Sequence, residues 1–447
     1  MMWASQPATA DSAQRRDLNL YWWGQTTSAF GSVFSAVAVP VIAVVYLDAS
    51  PLQIGMISAA SILPMLILGL PAGAVADRIA RPRRMLMVLD ALSALAVAVV
   101  AVGLANNLAS VGWLIALATV QGCVAVLLEV LYFIHLRQLT SVASVGRARA
   151  RLQAGEFGAG FVGRLLVGPT IVVFGGAAAL AVDAVSYLLS AAALLSMRPA
   201  GVAADTSPHE RPDVGTVLRG MGAGLRLFVG DAFRRTLLVL LFLPGATAAG
   251  VAVLTAPFLL RVVHVPTEAY GLLFSAAGLA GLGGSALAGK LLDRWRDPRL
   301  LLLAALLASA VGGLLLPMAT GPLPVAACFA ILGISLPTFF GAIANVALSP
   351  VIVAGVSEST TGRTVAMLHV LGAASGLVGA FAGGVLGGWM GVRQAIWVLA
   401  GLALGTVVLC LPAAVRSLDG RTVEARCDDQ SQPLHSSANS ATAGGTA

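Results

Sequence analysis

Twelve apolar runs fill this chain almost end to end, at approximately 18–47, 53–76, 84–104, 111–136, 152–174, 177–197, 235–260, 268–289, 300–318, 324–346, 365–388 and 393–413. A hydrocarbon core of ~30 Å takes ~20 helical residues to cross. Lipid offers no partner to a backbone amide or carbonyl, so each run must satisfy its own groups as a helix. A membrane barrel would need ~10-residue alternating segments, and the chain has none. With 58% hydrophobic and 11% charged residues, it stands far from a soluble domain, where roughly a quarter are charged. The predicted class is an all-α membrane protein of twelve transmembrane helices.

The basic residues set the expected orientation. With the N-terminus inside, the inner segments hold 24 of the 27 lysines and arginines. Arg261 and Arg393 fall outside, and Arg164 falls within a span. That bias predicts both termini in the cytoplasm of a multi-pass cytoplasmic (inner) membrane protein. It also absorbs the net charge of +7, which is spread over short loops as a topology signal, so no nucleic-acid partner is expected.

The chain divides into a cytoplasmic tail at 1–17, a six-helix half at 18–198, a cytoplasmic connecting loop at 199–233, a second six-helix half at 234–415, and a tail at 416–447 whose composition predicts disorder. The halves are related. GAVADR at 73–78 recurs as GKLLDR at 289–294, and Gly146-Arg147 recurs as Gly362-Arg363 at the same offset. So do Gly55 and Gly271, Gly160 and Gly376, Gly163 and Gly379, Gly168 and Gly384, and Gly175 and Gly391. Each half has an even number of spans, which predicts a parallel repeat about an axis along the membrane normal.

Six plus six spans, with Gly-x-x-x-Asp-Arg-x-x-Arg between spans two and three and a weaker copy between eight and nine, resemble the major facilitator superfamily. LLEVLYFIHLRQL (Leu127 to Leu139), DAVSYLLSA (Asp183 to Ala191) and TGRTVAM (Thr361 to Met367) are similar to its third drug:proton antiporter family, the macrolide-efflux and enterobactin-exporter type. The likeness runs over roughly residues 15 to 415. The chain departs from that pattern at Ala80, where glycine is common, at Arg137, where proline is usual, and in span five, where Arg164 takes a glycine position and Val172-Val173 replace a glycine pair. The resemblance implies the major facilitator fold and a monomeric secondary transporter working by alternating access. It also implies protons as the coupling ion and an amphipathic or hydrophobic small molecule, such as an antibiotic, as substrate.

The candidate residues fall into three groups. Gly73, Asp77, Arg78 and Arg81, their repeat copies Gly289, Asp293 and Arg294, and the loop arginines Arg147 and Arg363 form the expected conformational latch: a charge cluster can hold the halves together in one state and release them in the next. Arg83 and Arg84 are read as topology signals. Glu129 in span four and Arg164 in span five are the deepest charges, and intramembrane charges mark relays and pathways. They are expected to pair across the two spans and to carry proton coupling, with Glu156 as the rival partner of Arg164. Gln25, Gln121, Asn345 and His369 lie on helices that line the cavity in the superfamily, which makes them candidate substrate contacts. Asp90 and Asp183 are assigned to structural pairing or capping, and His135 and His264 to solvated span ends.

Several chemistries are excluded. GSALAGKL (Gly284 to Leu291) has the glycine and lysine spacing of a phosphate-binding loop, but Leu291 replaces the Ser/Thr that would hold Mg²⁺. ATP is therefore not expected. No catalytic triad or metal spacing is present among the residues, so neither an enzyme nor a cofactor is expected, and the four cysteines are too scattered for a metal or redox pair. The expected function is proton-coupled efflux. The alternatives are an exporter or importer of a siderophore or metabolite with other ion coupling, and a transport-dead membrane sensor or scaffold.

Overall fold

The computed structural model describes residues 8–76, 79, 81–140, 142–198, 232–295, 297–353 and 358–430. Among the described residues twelve α-helices follow in order: α1 (Ala8–Val45), α2 (Pro51–Ala76), α3 (Pro82–Ala105), α4 (Val111–Leu139), α5 (Val142–Phe174), α6 (Gly176–Ser196), α7 (Ala232–Pro257), α8 (Thr267–Arg294), α9 (Pro298–Gly313), α10 (Leu323–Val353), α11 (Glu358–Met390) and α12 (Val392–Gln430). No strand occurs among the described residues. Eleven of the helices are long and apolar enough to span a membrane; α9, at 16 residues, is the short one. It stops before the predicted 318 as the chain tightens from Leu314 into turns held by i→i−3 bonds, Leu314 to Val311, Leu315 to Gly312 and Leu316 to Gly313.

The second end at which prediction and structure differ is α12, which stays helical to Gln430, well into the segment expected to be disordered. Adding residues to an existing helix avoids the cost of a new nucleus, so a run such as RTVEARCDDQ can extend one that the apolar span has already started. The segment GSALAGKL lies inside the unbroken α8 helix, with no loop for a phosphate.

Helix pairing repeats across the halves. α1 packs on α6 and α5, α2 on α4, and α3 on α6 and α4; α7 packs on α12 and α11, α8 on α10, and α9 on α12 and α10. Every partner is thus copied six helices later. The repeat reaches single contacts: Gly163 is pressed on the Phe30 carbonyl of α1, and its repeat mate Gly379 on the Ala246 carbonyl of α7, where Ala246 is itself the repeat mate of Phe30. Gly175 and Gly391, another such pair, both carry positive φ at +85° and +89°, a conformation glycine adopts without the Cβ penalty.

Both halves run their termini to one end of the bundle, opposite the far end. The buried apolar residues are arranged unequally between the two ends. At the far end a single cluster crosses both halves, with Phe34, Val41, Leu114 and Leu180 from the first packed together with Leu254, Phe258, Leu316 and Ile396 from the second. At the terminus end the core splits. Tyr21, Leu86, Leu131 and Leu194 belong to one cluster inside the first half, and Leu237, Leu301, Ile343 and Met367 to another inside the second. The halves are therefore joined at the far end and separate at the terminus end.

Candidate functional site

Two glycine seams make the far-end closure. In one, Gly55 of α2 lies against Gly384 and the Ala380 carbonyl of α11; in the other, Gly271 of α8 lies against the Arg164 carbonyl and Val167 of α5, with Gly168 against the Glu268 carbonyl. Gly55 and Gly271 are repeat mates, and so are Gly168 and Gly384. The pseudo-twofold axis thus converts one seam into the other, and both use glycine so that backbones can approach without side chains between them. α4 and α10, by contrast, share no comparable packing across the middle.

Arg261 clasps the same end. After Pro257 the chain widens into a π turn, Phe258–Val262, which turns Arg261 toward the first half. Its Nη1 donates to the Ala49 carbonyl at 2.9 Å, and its Nη2 donates to the Val44 carbonyl at 2.8 Å and to Asp48 Oδ1 at 2.7 Å. Asp48 and His264, on the two loops that meet here, both have positive φ, an uncommon backbone state for residues other than glycine. Arg393, the other basic residue at this end, donates to the Ala319 carbonyl at 3.0 Å and lies over the Phe258 ring. The two exceptions to the charge bias are therefore spent on backbone carbonyls.

Arg164 stands immediately below the seam on the terminus side. Its carbonyl forms the seam with Gly271, while its guanidinium runs back toward Gly160 on its own helix and Gly278 of α8; a Cβ on either glycine would stand 3.3 and 3.5 Å from Nη1. The side chain is half-buried and makes no ion pair or hydrogen bond among the described residues. It thus sits at the apex of the cleft between the halves.

The family model for the Major Facilitator Superfamily matches residues 21–351 of this bundle of two six-helix repeats. The chain belongs to the major facilitator superfamily. No curated protein matches it. Among solved structures it is similar to a point mutant of the nucleoside transporter NupG, at 13% identity and a TM-score of 0.72 over 89% of this chain and 99% of that one. A bacterial homolog of the human lysosomal transporter Spinster, inward-facing and unoccupied, aligns at 18% identity and a TM-score of 0.59 over 92% and 96%. An auto-inhibited POT family peptide transporter aligns at 11% identity and a TM-score of 0.65 over 90% and 97%. As a major facilitator the chain is a multi-pass membrane transporter rather than an enzyme.

The other predicted site residues are distributed unevenly on this major facilitator bundle. The Glu129–Arg164 ion pair is not made. The Tyr21 hydroxyl donates to the Tyr132 carbonyl at 3.1 Å, and Gly163 rests on Phe30 and Val33, so both α4 and α5 take their heights from α1. Glu129 lies about one turn above Tyr132, and Arg164 about three turns above the level of Tyr21, a backbone offset of roughly 10 Å at 1.5 Å per residue. α4 and α5 also share little contact, since α5 packs on α1 and α8. Glu129 is exposed on α4, and Glu156 is exposed at a similar height on α5.

Of the latch residues, Asp77 and Arg78 lie outside the described residues, as does the side chain of Arg363. Gly73 is in the last turn of α2, and Arg81 begins α3 as its exposed N-cap. Gly289, Asp293, Arg294 and Arg147 are exposed at the open end, and Asp293 and Arg294 make no ion pair among the described residues. Arg83 has a role beyond topology: its Nε and Nη2 donate to the Leu194 and Leu195 carbonyls at 2.7 and 2.9 Å, capping the last turn of α6.

Asn345 and His369 are exposed on α10 and α11. Gln25 and Gln121 instead belong to the interior of the first half. Gln25 is buried, and Gln121 donates to the Tyr187 hydroxyl at 3.3 Å, which in turn meets Ser32. Asp183 makes the structural pairing expected of it, accepting from Ser35 of α1 and from Ser186. Asp90 caps nothing: it is fully buried in α3 beside the Ser190 hydroxyl, with neither oxygen in hydrogen-bond geometry. His135 is buried edge-on against Tyr21 rather than solvated, because α4 continues to Leu139 and carries His135 inside the bundle. His264 is exposed, as expected.

Proposed function

We propose that the chain exports an amphipathic small molecule from the cytoplasm by alternating access, in exchange for protons, with its termini and the open end of its cleft on the cytoplasmic side of the inner membrane. The observation that carries this reading is the divided core: one apolar cluster that crosses both halves at the far end, and separate clusters confined to one half or the other at the terminus end. Two rigid halves hinged on glycine seams have an obvious second arrangement, in which the far end parts and the terminus end meets. The sequence likeness to the third drug:proton antiporter family supports export and proton coupling. The exposed Asp293 and Arg294 fit a latch that engages when the terminus end closes.

Sidedness has a simple check. Reporter fusions after Asn107 and Thr320 are expected to read periplasmic, and fusions after Arg147 and Arg416 cytoplasmic, from the arginine bias. A cytoplasmic signal at Asn107 overturns the orientation.

Proton coupling is assigned to Glu129, an exposed carboxylate within a span. In inside-out vesicles with an imposed proton gradient, Glu129→Gln is expected to bind substrate as the wild type does and to lose gradient-driven accumulation, since the amide mimics the protonated acid and cannot cycle. Glu156→Gln keeps accumulation. Gradient-driven flux that survives Glu129→Gln removes Glu129 from the mechanism, and wild-type protein that accumulates nothing from a broad panel of antibiotics and dyes removes the efflux reading itself.

A further inference from the structure

We propose that Arg164 binds an anionic group on the transported molecule, a carboxylate, sulfonate or phosphate, and that this contact ties the ligand to both halves at once. The inference rests on the transport reading above and names the substrate class for the same cleft.

A charge at mid-membrane depth is disfavoured by ~2.5–3.5 kcal/mol on insertion scales, and such residues persist where they pair or face water. Arg164 was expected to pair with Glu129, but the register of α4 against α5 puts that carboxylate about two helical turns lower, on a helix that barely touches α5. No other acid meets Arg164 among the described residues. Yet the guanidinium is not crowded. The residues flanking it on α5 and α8 are Gly160 and Gly278, whose missing side chains make room for the guanidinium, and the side chain stays partly exposed. A planar fork with free donors in such a space suits an oxyanion, because arginine can bind carboxylate, sulfonate or phosphate through two parallel hydrogen bonds.

Position adds the coupling. The backbone of Arg164 is half of the α5–α8 seam, and the guanidinium lies between α5 of the first half and α8 of the second. An anion held there fills the gap directly beneath the contact that must open for the far end to part. Its binding energy therefore bears on the seam itself rather than on a remote wall.

A matched pair of amphiphiles tests this. Anilinonaphthalenesulfonate and the neutral N-phenylnaphthylamine share an aryl-naphthylamine core and differ in the sulfonate. Binding of each to the full chain in lipid nanodiscs, corrected with empty discs, is measured for wild type, Arg164→Gln and Arg164→Lys. A charge-assisted contact predicts that Arg164→Gln weakens the sulfonate roughly tenfold to a hundredfold, that Arg164→Lys recovers part of the loss, and that the neutral probe changes by no more than about twofold. Equal loss of both probes assigns Arg164 to structure and overturns the proposal. So does undiminished sulfonate binding in Arg164→Gln, or a wild type that does not prefer the sulfonate. The transport reading is scored separately by gradient-driven uptake of the neutral probe into vesicles: it stands if wild type and Arg164→Gln accumulate that probe alike, whatever the sulfonate does.

Discussion

Replacing Gly271 with leucine is expected to abolish transport while leaving both halves folded. A Cβ at Gly271 would overlap the Arg164 carbonyl, and the obstacle is helix backbone, which cannot rotate out of the way as a side chain can. Forcing volume into a tight contact typically costs ~1–3 kcal/mol, and here the cost falls on one state only, since the seam exists only when the far end is closed. The population should move roughly tenfold to a hundredfold or more away from the state described here. Gly401→Leu is the control, because a Cβ at Gly401 of α12 meets nothing within 4 Å. Wild-type flux in Gly271→Leu, with normal melting in detergent, would show that the α5–α8 seam does not take part in the cycle.

Arg261→Ala acts on the same end by another route. The guanidinium joins the Val44 and Ala49 carbonyls and Asp48 to the π turn after α7, and hydrogen bonds from a charged donor are worth ~1.5–3 kcal/mol each where water is kept out. With Arg261 partly exposed, about 2–3 kcal/mol for the whole clasp is the expected loss, roughly 30-fold to 150-fold in population. Lysine should recover little, having no fork with which to reach two carbonyls. Asp48→Asn should be mild, because Asp48 is almost fully exposed and exposed ion pairs contribute little. The readout is alkylation of a cysteine at Ile54, which is buried in the far-end core, with the native cysteines replaced. Faster labelling in Arg261→Ala and near wild-type labelling in Asp48→Asn are expected; unchanged labelling in Arg261→Ala would reduce the clasp to a passive surface contact.

The elements that could be read from the residues alone are those for which lipid leaves no choice. Every apolar run became a helix because no other backbone arrangement satisfies its own amides there, and α9 gives way to i→i−3 turns from Leu314. The fixed spacing of glycines between the halves was equally legible, and its meaning was physical: Gly55, Gly168, Gly271 and Gly384 all stand in the seams. Side-chain partnerships were less accessible. Counting residues inward from each span end brought Glu129 and Arg164 within reach of one another, but those ends do not set helix height; the Tyr21–Tyr132 bond and the Phe30–Gly163 contact do. Arg261 was visible only as an exception to a charge rule, since a clasp onto backbone carbonyls in the other half of the chain leaves no mark in the side-chain pattern. Gln25 and His135 looked like cavity or surface residues for a similar reason: polarity on a membrane helix does not distinguish a cleft from a polar pocket inside one half.

If the two halves rock about the seams, one end closes as the other opens. Two spin-label distances measured in the same reconstituted protein test this most directly: one across the far end, between labels at Asn107 and Thr320, and one across the terminus end, between labels at Ala150 and Lys290. All four residues are exposed, and each pair spans the two halves. Rocking predicts two populations, one with a short far-end and a long terminus-end distance and one with the reverse, with Gly271→Leu and Arg261→Ala enriching the second. Distances that stay fixed in every variant, or that lengthen together at both ends, would contradict it.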